Sequence, residues 1–146
     1  MAVKTTSGSN IVLSIDAAGG SSHAIIAGAT SCTFNYNQET IDSSSKDSGG
    51  RKEFINGATS WTMDCEAFYN VIDAGGSATT NSADALMAAL KAGTKISCEW
   101  KDGSGQTGAK TYTGDGYITS VSEGASVGEF ATYSISIQGT GELTVA

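Results

Sequence analysis

Apolar and polar residues alternate with period two along most of this chain, the signature of half-buried β-strands. From Ser60 to Tyr69, residues Trp61, Met63, Cys65, Ala67 and Tyr69 share one face. Thr62, Asp64, Glu66 and Phe68 share the other. A last strand over Phe130 to Gln138 sets Tyr133, Ile135 and Ile137 against Thr132, Ser134, Ser136 and Gln138. Further strands are expected at Ile11 to Ile15, His23 to Ile26, Thr30 to Asn37, Lys95 to Lys101 and Lys110 to Val121. In the strand from Lys95, Ile96, Cys98 and Trp100 point inward.

The period changes once. Over residues 82–92, Leu86 and Leu90 with Ala83 and Met87 beside them form a stripe at helical spacing. Asn81 or Ser82 supplies an N-cap, Asp84 suits the positive end of the helix dipole, and Gly93 ends the helix. Three turns are too few to be stable alone, so the helix must lie on a sheet. Strand runs on either side of one helix predict a mainly β chain. It is a β-sandwich or barrel with one flanking α-helix, in a single domain over residues 1–146.

Residues 39–58 interrupt this scheme as a long extended loop. Strands that only pair with each other need a turn of about two to five residues. A loop of roughly twenty residues in a compact domain is functional or disordered. This one carries Asp42, Lys46, Asp47, Arg51, Lys52 and Glu53, then the apolar pair Phe54 and Ile55. Apolar groups beside mixed charges suit an arm that docks on a neighbouring subunit. These eight residues are the candidate intersubunit contact.

Composition narrows the function. A length of 146 residues suits one domain, 39% hydrophobic residues suffice for a core, and the absence of proline leaves every strand its N–H donors. A net charge of −7 disfavours tight binding to nucleic acid or anionic membrane. No apolar run approaches a membrane span or a signal peptide, so no membrane anchor is expected. Cys32, Cys65 and Cys98 each fall on the apolar side of a strand and read as buried thiols of a protein assembled in a reducing compartment.

Catalytic signals are absent. His23 stands in a short apolar run and reads as structural or merely exposed. Gly124-Ala125-Ser126-Val127-Gly128 matches a hydrolase elbow in letters, but a strand follows where a helix is required, so it reads as a turn. Asp102 to Gly108 offers one acid before neutral residues, too little charge for calcium, and reads as a mobile turn. Asp64 and Glu66 read as a solvated face. No cofactor, metal or enzymatic activity is expected.

In sequence order, Ile26 to Phe34, the run Glu39-Thr40-Ile41-Asp42-Ser43-Ser44-Ser45-Lys46-Asp47-Ser48-Gly49, and Gly57 to Phe68 resemble the major tail tube proteins of long-tailed bacteriophages and gene transfer agents. The helix near 83–92 and the closing strands from Tyr112 to Thr140 follow in the order of that family. The resemblance implies a tail-tube-like fold and a structural virion protein that assembles into stacked hexameric rings, the tube for genome delivery. It implies as partners other copies of the chain, tape measure and terminator proteins, and genomic DNA that passes without tight binding. It implies a place in the virion tail after assembly in the bacterial host cytoplasm. Two other classes compete with the tube reading: a monomeric carbohydrate-binding or adhesin β-sandwich that uses Trp61, Trp100 and the tyrosines, and a tail terminator or connector whose single ring never stacks.

Overall fold

The longest alternating runs become the longest strands, and they join one sheet. The computed structural model describes residues 5–16, 20, 23–26, 29–69, 80–81 and 83–145. Its elements are β1 (Ile11–Asp16), β2 (Ala24–Ile26), β3 (Ala29–Asp42), β4 (Phe54–Phe68), β5 (Thr80–Asn81), α1 (Ala83–Ala92), β6 (Ile96–Asp102), β7 (Thr111–Gly124) and β8 (Thr132–Val145). The sheet order is β3-β4-β8-β7-β6-β1-β2-β5. All neighbouring pairs are antiparallel except β2 and β5.

The sheet curls. Phe34 on the outermost strand β3 stacks on Tyr112 of β7 with ring centroids 5.5 Å apart, and lies 5.9 Å from Trp100 of β6. These contacts join strands that are far apart in the sheet order, so the sheet folds over its own inner face. That face holds the core: Leu13 and Ile15 of β1, Met63 and Cys65 of β4, Ile96 and Cys98 of β6, and Ile135 and Ile137 of β8. The inward face expected for 60–69 is buried from Trp61 to Ala67, and Tyr69 is half-buried. Burying each large aliphatic side chain contributes about 1.5–3 kcal/mol, so this face supplies most of the drive to fold.

Helix α1 packs on β7 and sends Leu86 and Ala89 into the core, with Leu90 packed against it. Asp84 lies in its first turn and accepts a hydrogen bond from the Tyr69 hydroxyl at 3.3 Å. Gly93 ends it in a left-handed conformation, φ +65°, which glycine adopts without strain. The proposed capping residue Ser82 lies outside the described residues.

Strand β7 runs on to Gly124 past the expected end at Val121, β8 starts at Thr132 instead of Phe130, and two boundaries differ by more. The expected loop 39–58 is largely strand: β3 continues to Asp42 and β4 begins at Phe54, with Thr40, Ile41 and Asp42 paired to Asn56, Ile55 and Phe54. Neither face of this ribbon is buried, so no selection for alternation marks it in the sequence. The last strand runs on to Val145 instead of ending at Gln138. Gly139, Thr140 and Gly141 look like a turn. In the fold, Gly139 passes under the Trp61 indole, and the ladder to β7 slips register beyond Thr140.

Candidate assembly surface

The paired length of β4 decides the shape of the molecule. Strand β8 pairs with β4 only from Thr62 to Phe68, whereas β3 pairs with it from Phe54 to Ala67. The segment 37–42 with 54–60 is therefore a two-stranded ribbon projecting from the sheet. A register shift between Gln38 and Thr40 puts one extra residue on the β4 side, and such bulges bend a ribbon and increase its twist.

The ribbon carries apolar side chains that the other described residues leave exposed. Ile41 faces Ile55 across the ladder, and Ile41, Ile55 and Phe54 are 51%, 55% and 54% exposed. Tyr36, nearer the sheet, is exposed as well. An isolated two-stranded hairpin is marginally stable in water, and exposed apolar groups on both of its faces, such as the Ile41–Ile55 pair, suit contact surfaces.

The tip of the ribbon has its own hydrogen bonds. The Ser43 N–H donates to the Glu53 carbonyl at 2.9 Å, and the Glu53 N–H donates to Ser44 Oγ at 2.8 Å. A short 3-10 turn spans Lys46–Ser48, where the Ser48 N–H reaches the Ser45 carbonyl at 3.1 Å and the Ser45 N–H reaches Ser48 Oγ at 3.0 Å. The Ser44 N–H donates to Asp42 Oδ1 at 2.9 Å. The Ser44 hydroxyl and this backbone donor together hold the Asp42 carboxyl below its ordinary pKa. The tip is thus a shaped, internally bonded structure.

All eight candidate contact residues lie on this arm. Asp42 closes β3, Lys46 and Asp47 lie in the 3-10 turn, Arg51, Lys52 and Glu53 lead back, and Phe54 and Ile55 open β4. All eight are exposed. Lys46, Arg51 and Lys52 balance Asp42, Asp47 and Glu53 in number, and the apolar residues Phe54 and Ile55 lie on opposite faces of the ribbon beneath the tip. Ile41 and Tyr36 carry no mark in the sequence; Ile41 shares one ribbon face with Ile55, and Tyr36 shares the other with Phe54. Strand pairing was the missing signal, because it places Ile41 opposite Ile55.

A second exposed patch lies at the β7–β8 turn. Val127 is fully exposed and Phe130 is 83% exposed, with Phe130 in edge contact with Phe68 at 5.8 Å. This turn contains Gly124 to Gly128 and connects two strands, with the Glu129 N–H bonded to the Ser126 carbonyl at 3.3 Å.

The other candidate sites resolve into structure. His23 is half-buried; its Nε2 lies 2.7 Å from Ser97 Oγ and its Nδ1 lies 3.6 Å from Glu99 Oε2. Ser97 is only 5% exposed, and this line of groups ties the start of β2 to β6. Asp102 accepts from the Ser104 N–H at 2.9 Å, which, with the Ser104 hydroxyl, lowers its carboxyl pKa. Among the described residues, no group of three His, Cys, Asp or Glu is placed to hold a metal ion. No helix among them is long and apolar enough to cross a membrane. Trp61 is 2% exposed and unavailable to stack on a sugar.

A family model described as phage tail tube protein matches residues 5–145. No curated protein matches the chain. Solved structures do. The chain is similar to one from the tail of an empty gene transfer agent particle refined with C6 symmetry, at 19% identity and TM-score 0.79 over 97% of this chain and 99% of that one. It is similar to one from the virion of a native gene transfer agent particle, at 18% identity and TM-score 0.77 over the same shares. It is also similar to the SPP1 tail tube, at 19% identity and TM-score 0.73 over 95% of this chain and 78% of that one.

Proposed function

The chain belongs to the phage tail tube protein family, and from that premise we propose that it assembles into homo-hexameric rings stacked as the conduit for a packaged genome. It is a structural tube protein of a virion tail. The projecting arm carries the proposal: a ribbon with apolar residues exposed on it, extending from a sheet whose outermost strand is fourteen residues long. Long open edges and bare hairpins are liabilities in a monomer, and ring closure removes them. In this reading Asp42, Lys46, Asp47, Arg51, Lys52, Glu53, Phe54 and Ile55 contact neighbouring copies, with Ile41 and Tyr36 beside them.

The further partners follow from the same role. Tape measure and terminator proteins meet the tube at its lumen and its end. Genomic DNA passes without being held, in keeping with a net charge of −7, which disfavours retention of phosphates. Assembly takes place in the bacterial host cytoplasm, where three unbridged thiols are at home. The protein turns over no substrate.

The test is negative-stain microscopy with sedimentation velocity on the concentrated chain. Sixfold rings that stack into tubes are expected. Monodisperse monomer at high concentration overturns the proposal, and single rings that never stack move the chain to a terminator or connector role.

A further inference from the structure

Cys32 on β3 and Cys65 on β4 are direct cross-strand partners at the root of the arm. Opposed residues of an antiparallel pair have Cα atoms about 4.5–5.5 Å apart, inside the range of about 4.4–6.8 Å that a disulfide spans. Their Cβ atoms need to close by about 1–2 Å. The Cys65 thiol donates to the Glu66 carbonyl at 3.7 Å, and both cysteines are unbridged. Cys98 on β6 faces Ile15 and Gly114 and has no cysteine opposite it.

We propose that Cys32 and Cys65 are a dithiol site that low-molecular-weight disulfides oxidise to an intramolecular cross-strand bond, stapling the base of the arm. The inference goes beyond the tube reading and does not depend on it.

Access and reactivity are divided between the two sulfurs. Cys32 is half-buried and lines a cleft of about 720 Å³ with Ser31, Ile26, Leu13 and Trp100. Cys65 is sealed, 2% exposed. The neighbouring Cys65 thiol lowers the Cys32 pKa against the opposing effect of burial. The Cys32 thiol, with burial and the Glu66 charge, raises that of Cys65. Cys32 is therefore the entering nucleophile. Its thiolate attacks one sulfur of a small disulfide R–S–S–R, forming a mixed disulfide and releasing R–S⁻. The Cys65 thiol gives up its proton and attacks the Cys32 sulfur, releasing the second R–S⁻. The protein loses two electrons and two protons, and R–S–S–R becomes two R–SH. Cys98 takes no part: burial, with the Asp115 charge adding to it, pushes its pKa up to about 12.

The bond would enclose residues 33–64, the whole arm. Closing a loop of that length stabilises mainly by restricting the unfolded chain, and the melting temperature should rise by about 5–10 °C.

The test treats the purified full chain with oxidised glutathione under native conditions. Free thiols should fall from three to one, with an intact mass lower by two hydrogens. A non-reducing tryptic digest should link the peptide holding Cys32 to the one holding Cys65, and dithiothreitol should reverse both changes. Cys65→Ser should trap glutathione on Cys32 as a lasting mixed disulfide. The wild-type digest is decisive even if that variant fails to fold. Retention of all three thiols, a persistent glutathione adduct on the wild-type chain, or a bridge through Cys98 overturns the proposal.

Discussion

Gly139 lies directly beneath the indole of Trp61: a methyl group on its α-carbon would overlap ring carbons Cδ2 and Cε2. Gly114 of β7 does the same from the next strand, where an added Cβ would stand 2.6 Å from Trp61 Cζ2. The largest fully buried side chain thus fits because two neighbouring strands present bare backbone to it. Overpacking a core costs about 1–3 kcal/mol. Here the obstacle is a rigid ring wedged among backbone, so Gly139→Ala should cost at least the upper end of that range. Gly124→Ala, where the nearest atom is 3.8 Å away, should change stability by less than about 0.5 kcal/mol. Urea denaturation of the two variants checks the contrast; equal midpoints would sink it.

The same pair shows what the sequence could and could not say. Trp61 was legible as a core residue because its strand alternates cleanly up to Ala67. Gly139 was not, because glycine announces a turn whether it makes one or accommodates a ring. The helix was legible from Leu86, Leu90 and Gly93 together. The arm was legible only as an anomaly: Phe54 and Ile55 stood out as apolar residues with no periodic reason, but their pairing with Asp42 and Ile41 leaves no mark in a ribbon wet on both faces. The Cys32–Cys65 register was hidden for a related reason. Alternation fixes which face a residue takes and says nothing about what stands opposite, which here depends on the register shift between Gln38 and Thr40.

Protonation should loosen the arm tip. The hydroxyl and N–H of Ser44 hold the Asp42 pKa below its unfolded value. A depressed carboxylate contributes stability that is complete above the unfolded value of about 3.9 and lost as pH falls through the folded one. The Ser44 amide resonance should therefore shift with a midpoint below that of a free aspartate, and Asp42→Asn should abolish the transition. Ser104, bonded to Asp102 in the same way, should behave alike at the end of β6. NMR titration from pH 6 downward reads both, and a Ser44 amide that titrates at the free-aspartate value contradicts the assignment.

The apolar flank should matter to assembly and not to folding. Ile55 is half exposed in the monomer, so burying the remainder against a neighbour is worth about 1 kcal/mol per subunit. That gain would be repeated at every contact of a polymer. Ile55→Asp should leave the urea midpoint within about 0.5 kcal/mol of wild type and lower polymer yield by about tenfold or more. Pelleting assays on folded protein measure the second effect, and wild-type pelleting would remove Ile55 from the contact.

Shortening the arm separates the tip from the flank. Ser43 and Glu53 already pair, with the Ser43 N–H on the Glu53 carbonyl, so replacing residues 44–52 with Asn-Gly makes a two-residue hairpin turn of favoured type. The fold should survive, because nothing in 44–52 reaches the core. Ile41, Phe54 and Ile55 keep their places in this variant, while Lys46, Asp47, Arg51 and Lys52 are gone. If the charged tip makes part of the intersubunit contact, the variant stays a folded monomer or a short oligomer by sedimentation velocity. Tubes of normal length from this chain would assign assembly to the apolar flank and the β3 edge alone.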